Sequence, residues 1–221
     1  MTTPTALNES SASESVGSDV GAVWQQKPRL ADQISADSLV LHRYRAAHAP
    51  VVWEAIEQSR ATLQAWVPEV AGLRTLEQVA TGLGSLEDAW VAGRKLVYAV
   101  FRRQEGSFVG EVGVYAFDWS RGAATIGLWL RDSAQGCGYG TLALAALTSH
   151  TQEALMLKML EARVHPANER SRRLMLRAGF HLIGSAAAMP ESEGDVPEVL
   201  VYRRLAADLR GTDAPPPSGV G

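Results

Sequence analysis

At 221 residues, with 46% hydrophobic and 20% charged residues, the chain has the size and composition of one globular domain with tails. A formal net charge of −3 offers no global basic field for nucleic acid, and a single cysteine, Cys137, forbids an intramolecular disulfide. No apolar run approaches the ~18 residues of a membrane span, and the Ser/Thr/Glu-rich start lacks a signal peptide's apolar centre, so a cytoplasmic protein is expected.

Residues 1–28 are polar and of low complexity, and are expected to form a disordered tail. One domain is expected over residues 29–210. The Gly/Pro-rich stretch 211–221 is expected to form a second disordered tail. Within the domain, Leu39 to Arg45 alternates as a first strand. Ala49-Pro50 opens a helix whose apolar face is expected to carry Val51, Ile56 and Leu63. Thr75 is a candidate N-cap for a helix reaching about Trp90, weakened by Gly82 and Gly84 and stopped at Gly93. Lys95–Phe101, Ser107–Phe117 and Ala123–Leu130 read as three strands with short turns, an antiparallel meander. There follow a helix at 138–155, a strand at 159–165, a helix at 168–177 and strands at 179–186 and 198–205. The expected class is mixed α/β.

Between the third meander strand and the next helix lies Gln135-Gly-Cys-Gly138-Tyr-Gly140-Thr141. Glycines tolerate φ > 0 and carry no Cβ, so successive N–H groups can point one way. A helix start adds unpaired donors and partial positive charge. The combination suits phosphate. It is not a P-loop, which ends in Gly-Lys-Ser/Thr, and its glycines miss the Gly-x-Gly-x-x-Gly spacing of a dinucleotide fold.

The spacing is Gln-x-x-Gly-x-Gly at Gln135, Gly138 and Gly140, which resembles the acetyl-CoA pyrophosphate loop of the GNAT acyltransferases. A second segment supports the resemblance: a strand to His165, then Asn168-x-x-Ser171, an apolar helix and Gly179-Phe180. The likeness spans about Leu39 to Leu205. It is nearest the branch of ribosomal-protein N-terminal acetyltransferases of RimJ/RimL type. The resemblance implies a GNAT-like fold, a central mixed, mostly antiparallel, splayed sheet flanked by helices. It implies acetyl-CoA as co-substrate and an amine acceptor, either a protein N-terminal α-amine or a small molecule. Homodimers are frequent in that branch, so a homodimer is among the expectations; no nucleic-acid or membrane partner is expected.

Acetyl transfer from a thioester to an amine needs a neutral amine, a polarised carbonyl and a stabilised or protonated thiolate. The loop backbone from Gly136 to Thr141 is expected to hold pyrophosphate, with Gln135 shaping the loop or meeting the near phosphate and the Thr141 hydroxyl adding a donor. Tyr139 and Cys137 fall within this loop. Cys137 occupies a variable position, so a turn residue outweighs a nucleophile there. The resemblance makes the strand at Thr125–Leu130 the one that meets the acetyl and pantetheine arm through its main chain, which places Leu128, Trp129 and Leu130 beside the cofactor.

Many family members carry a tyrosine acid four residues before the glycine of the Gly-Phe pair. Here that position is Met175, which has no proton to donate. In the RimJ/RimL branch the counterpart of Ser171 is the suggested acid, and Asn168 is then a cofactor-side hydrogen-bonding residue; both positions also suit helix-start capping. For the base, Glu191 lies one residue from Pro190, the position matching the branch's carboxylate. Glu111 on the middle meander strand is a second candidate. For each, a solvated surface charge is the competing reading. Glu198 and Tyr202 resemble an acidic-then-Tyr pair that shapes the cleft. Trp66, in Leu63-Gln-Ala-Trp66, resembles a Leu-x-x-Trp motif near the acceptor cleft and also suits core packing. The histidines form no metal-ligand spacing, so no metal is expected. The rival class is a non-catalytic acyl-CoA-binding regulatory module.

Overall fold

The computed structural model describes residues 30–187 and 198–206. Among these described residues eight strands form one sheet: β1 Gln33–Ala36, β2 Leu39–Arg43, β3 Lys95–Arg102, β4 Phe108–Asp118, β5 Ala123–Leu130, β6 Met159–Val164, β7 His181–Ala187 and β8 Glu198–Leu205. The α-helices of the described residues are α1 Ala49–Trp66, α2 Pro68–Ala71, α3 Leu76–Val91, α4 Tyr139–Leu155 and α5 Glu169–Arg177. The spatial order is β1-β2-β3-β4-β5-β6-β8-β7. All neighbours are antiparallel except β5 and β6. The expected mixed, mostly antiparallel, helix-flanked sheet is the observed one.

The central strands are apolar on both faces because both are covered. On β3 and β4, Leu96, Tyr98, Val100, Val112 and Val114 pack with Ala143, Leu144, Leu147 and Leu155 of α4. On the other face Tyr44, Val97, Ala99, Phe108 and Trp129 pack with Val52, Ala55, Ile56 and Leu63 of α1 and with Val79 and Leu83 of α3. Each such large side chain contributes roughly 1.5–3 kcal/mol on burial.

Local signals place the helix ends. Thr75 Oγ1 accepts a hydrogen bond from Gln78 N–H at 3.1 Å, capping α3 as expected. That helix runs through Gly82 and Gly84, around which there is open space. On α1, Val51 is exposed, and Val52 takes the inward position expected of it. The buried register Val52, Ala55, Ile56, Ser59 and Leu63 is the 3.6-residue period that decides this. β1 was not foreseen. It is four residues long, only Ile34 of it is buried, and β2 pairs with it across a tight turn. Among the described residues no helix is long and apolar enough to cross a membrane.

The one parallel contact matters most. β5 and β6 pair only at Ala123–Thr125 with Met159–Glu161, and β6 then continues with β8. Past Thr125 the two strands part, and the gap leads to the Gly-rich loop.

Candidate active site

The loop begins where β5 ends and is clamped to α1. Arg131 donates through Nη1 to Phe108 O at 3.4 Å and through Nη2 to Glu54 at 3.4 Å and to Gln58. Asp132 N–H donates to the buried Ser59 hydroxyl at 2.9 Å, and Thr62 Oγ1 donates to Asp132 Oδ2 at 3.0 Å. Gln135 is the internal brace. Its Nε2 donates to Leu130 O at 3.2 Å and to Asp132 Oδ1 at 3.0 Å, and its Oε1 accepts from Arg170 Nη1 at 2.8 Å. Gln135 thus holds the loop's shape, one of the two roles foreseen.

Gly136 and Gly138 have φ of 77° and 81°, the left-handed region that favours glycine, and a Cβ at either would project into open space. Among the described residues, the N–H groups of Gly136 through Gly140 make no backbone hydrogen bond. Thr141 N–H differs: it donates to Gly138 O at 3.1 Å and is already used. Gly140 also serves another end. A Cβ there would lie 3.1 Å from Leu174 and 3.4 Å from Leu128, so Gly140 lets α4 pack against α5 and β5. Cys137 is exposed, with Sγ 3.6 Å from Gln135 O.

A cleft of ≈ 1330 Å³ runs from this loop along the gap between β5 and β6 to the face covered by α1. Leu128, Trp129 and Leu130 line it beside the loop; Ala162, Val164 and His165 line it from β6. Trp66, 39% exposed at the end of α1, packs edge-on against His165 with ring centroids 5.5 Å apart. Trp66 therefore lines the cleft, and the edge-on pair joins its two sides.

Gly113 of β4 and Gly127 of β5 stand directly opposite each other in this part of the cleft, and the Tyr115 side chain lies over Gly127, where a Cβ would come within 2.9 Å of its hydroxyl. Glu111 and Tyr115 flank Gly113 on the same face, two residues away on either side. Glu111 is not a solvated surface charge. Burial pushes its carboxyl from 4.5 up to about 7, while the Trp129 indole, the Tyr44 hydroxyl and Lys95 pull the other way. Tyr44 Oη and Trp129 Nε1 are buried without a complete hydrogen bond among the described residues. They act on the carboxylate as nearby dipoles and do not saturate it. Burial, then the charges of Glu111 and Glu69, raise the Tyr115 hydroxyl, and Arg163 opposes them. Tyr115 therefore stays protonated wherever Glu111 titrates.

At the start of α5, Asn168 Oδ1 accepts from Ser171 N–H at 3.0 Å, an N-cap. Both residues line the cleft, and the Ser171 hydroxyl makes no hydrogen bond among the described residues. Met175, 2% exposed, stands one turn further and also borders the cleft. Glu191 lies outside the described residues. Neither Glu198 nor Tyr202 lines the cleft: Tyr202 is buried in the α4-side core, and Glu198 accepts from the Ser185 hydroxyl at 2.7 Å. The expectation that this pair shapes the cleft is corrected, because β8 is separated from the opening by β6.

Sequence reasoning did not single out Tyr115, Glu69, Arg163 or the Arg131–Ser59–Asp132 clamp. The clamp joins residues about seventy positions apart, and nothing local signals it. Tyr115 was legible in principle, since it sits four residues from Glu111 on one strand.

The chain matches the acetyltransferase (GNAT) domain family over residues 38–181. No curated protein gives a significant match. Among solved structures, a proposed ribosomal-protein-serine acetyltransferase from Vibrio cholerae is 27% identical, with TM-score 0.70 over 80% of this chain and 99% of that one. RimJ of Mycobacterium smegmatis, in complex with CoA-disulfide, is 23% identical, with TM-score 0.72 over 82% of this chain and 90% of that one. An acetyltransferase from Salmonella typhimurium that modifies the N-terminal serine of ribosomal protein L7/L12 is 22% identical, with TM-score 0.70 over 78% of this chain and 98% of that one. The matched span holds the loop, the parting strands and the Asn168 helix start, and it makes this chain a member of the GNAT acetyltransferase family, an acyltransferase with acetyl-CoA as co-substrate.

Proposed function

We propose that the protein is a cytoplasmic N-acetyltransferase that moves acetyl from acetyl-CoA directly to an α-amine. The acceptor is a protein N-terminus or an aminoacyl small molecule. The observation that carries this reading is Glu111, a desolvated carboxyl with a value of about 7 on the wall of the cleft.

A base near 7 suits an α-amine, whose conjugate acid lies at roughly 7.7–8.0, far better than a lysine amine at about 10.4. At 1.36 kcal/mol per unit, neutralising the lysine amine near pH 7 costs about 3.5 kcal/mol more. In this reading Glu111 takes the amine proton. The loop N–H groups from Gly136 to Gly140 hold the pyrophosphate, braced by Gln135. The main chain of Leu128–Leu130 lies along the pantetheine arm. Asn168 fixes the start of α5, so that the Ser171 hydroxyl faces the leaving thiolate. The names of the solved relatives, which include enzymes for ribosomal-protein N-termini, favour a peptide acceptor.

Thiol release and peptide mass would be followed with acetyl-CoA and three acceptors: an unblocked peptide, its N-blocked lysine counterpart and an aminoacyl amide. Acetylation of the α-amines, with the blocked lysine peptide untouched, is expected. Transfer to lysine alone would refute the α-amine reading, and no thiol release from any acceptor would favour a non-catalytic binding module.

A further inference from the structure

Three arginines of α5, Arg170, Arg173 and Arg177, recur at i, i+3 and i+7 and form one stripe. All three line the cleft together with the Gly-rich loop. The stripe starts at the loop, because Arg170 donates to Gln135. It passes the first turn of α4, because Leu174 packs against Gly140. Arg170 is committed to bracing, whereas the other two are available. Arg173 meets only Glu169, one turn back on its own helix, at 2.9 Å. Exposed pairs of this kind hold a side chain weakly. Arg177 makes no hydrogen bond or ion pair among the described residues.

This concentration of positive charge is local, since the whole chain is at −3. The free N–H groups of the loop suit the pyrophosphate. Acetyl-CoA carries one more phosphate, the monoester on the ribose 3′ oxygen, close to dianionic at neutral pH. The Gly-rich loop from Gly136 to Thr141 carries no cation, and the cation of the gap between β5 and β6, Arg163, acts on Tyr115 and donates to Ala187 O at 3.3 Å.

We propose that Arg173 and Arg177 form the subsite for the ribose 3′-phosphate of acetyl-CoA. They thereby make the enzyme select the 3′-phosphorylated cofactor over its dephosphorylated precursor. A guanidinium meets a phosphate with paired N–H donors and keeps its charge at any working pH. Binding moves Arg173 from Glu169 to the phosphate; Glu169, the carboxylate nearest the stripe, then stands one helical turn from the occupied site. Asp132, the other acid near the loop, is held by Thr62 and Gln135. The rival cation is Arg102. It stands over the Tyr139 ring at 5.8 Å and pairs with Glu105 at 2.5 Å, outside the cleft lining.

The test is calorimetric binding of CoA and of 3′-dephospho-CoA to the parent, to the double variant Arg173→Gln/Arg177→Gln and to Arg102→Gln. The parent should bind CoA at least about tenfold more tightly, with a preference that shrinks as salt rises. The double variant should bind both compounds with the parent's affinity for 3′-dephospho-CoA, and Arg102→Gln should keep the preference. Equal binding of the two compounds by the parent would overturn the subsite without touching the acetyl-CoA assignment. So would a double variant weakened equally toward both, or loss of the preference in Arg102→Gln. If the double variant melts well below the parent, Arg173→Lys/Arg177→Lys takes its place and should retain part of the preference.

Discussion

Replacing Glu111 with Gln should separate its chemical role from its cost to the fold. The carboxyl is raised from 4.5 to about 7 by burial. Below pH 4.5 it is protonated whether the chain is folded or unfolded, and the substitution should be nearly neutral there. Between pH 4.5 and 7 the unfolded chain ionises while the folded chain keeps its proton. The parent therefore loses stability through this group as pH rises, and above pH 7 the loss is complete. At 1.36 kcal/mol per unit the full effect is up to about 3 kcal/mol. Gln, similar in shape and never ionised, escapes it and still offers groups to the Trp129 indole and the Tyr44 hydroxyl. Urea unfolding at pH 4.5 and pH 8 measures the difference: near zero at the lower pH, and up to about 3 kcal/mol in favour of Gln at the higher. Kinetics should move the opposite way. In the parent kcat, measured at saturating acceptor so that ionisation of the free amine does not enter, should rise with pH through about 7 and then level, because the base works ionised. Glu111→Gln should lose that limb and about 10²–10⁴-fold in rate. An unaltered pH limb in the variant, or equal stability of the two proteins at pH 8, would refute the reasoning.

Gly138→Ala places a Cβ on a residue at φ 81° at the start of α4, and should weaken acetyl-CoA binding more than tenfold, read by calorimetry on folded protein. Gly140→Val acts through packing: its Cβ meets Leu174 at 3.1 Å, so the melting temperature should fall along with cofactor affinity. Cys137→Ala should keep most turnover, since the thiol is exposed and direct transfer forms no acyl-enzyme; an acetyl-thioester trapped on Cys137 would contradict this. Ser171→Ala should lower kcat, at most about 10²–10⁴-fold, with unchanged acetyl-CoA affinity, and a variant that matches the parent from about pH 6 to 9 would reduce Ser171 to a helix-start residue.

Much of this molecule was readable along the chain because its signals are local. Thr75 and Asn168 cap the helices they precede, the meander turns stand where the polar residues fall, and Gly136 and Gly138 take positive φ where the loop pattern required it. Short-range sterics and hydrogen bonding decide such features, and residues a few positions apart carry them. β1 escaped because four residues with one buried side chain carry no periodic signal; it is held by pairing with β2 and by the contacts of Ala31 with Tyr98 and His150.

The sequence by itself determined the helices other than the four-residue α2, the strands from Leu39 onward and the Gly-rich loop between β5 and α4. It left Glu111 as one of two candidate bases, beside Glu191, with a solvated surface charge as the competing reading. The tertiary structure alone decided that this carboxyl is desolvated. β4 carries it inside the sheet between β3 and β5, the α1 layer closes over it, and Tyr44 and Trp129 arrive from distant parts of the chain. Likewise only the packing of α5 beside the loop brought Arg173 and Arg177 to the cleft wall. The physical reason is the same in both cases: burial and the fields of neighbouring charges are set by what surrounds a group in space, and contacts across seventy residues leave no periodicity in the chain.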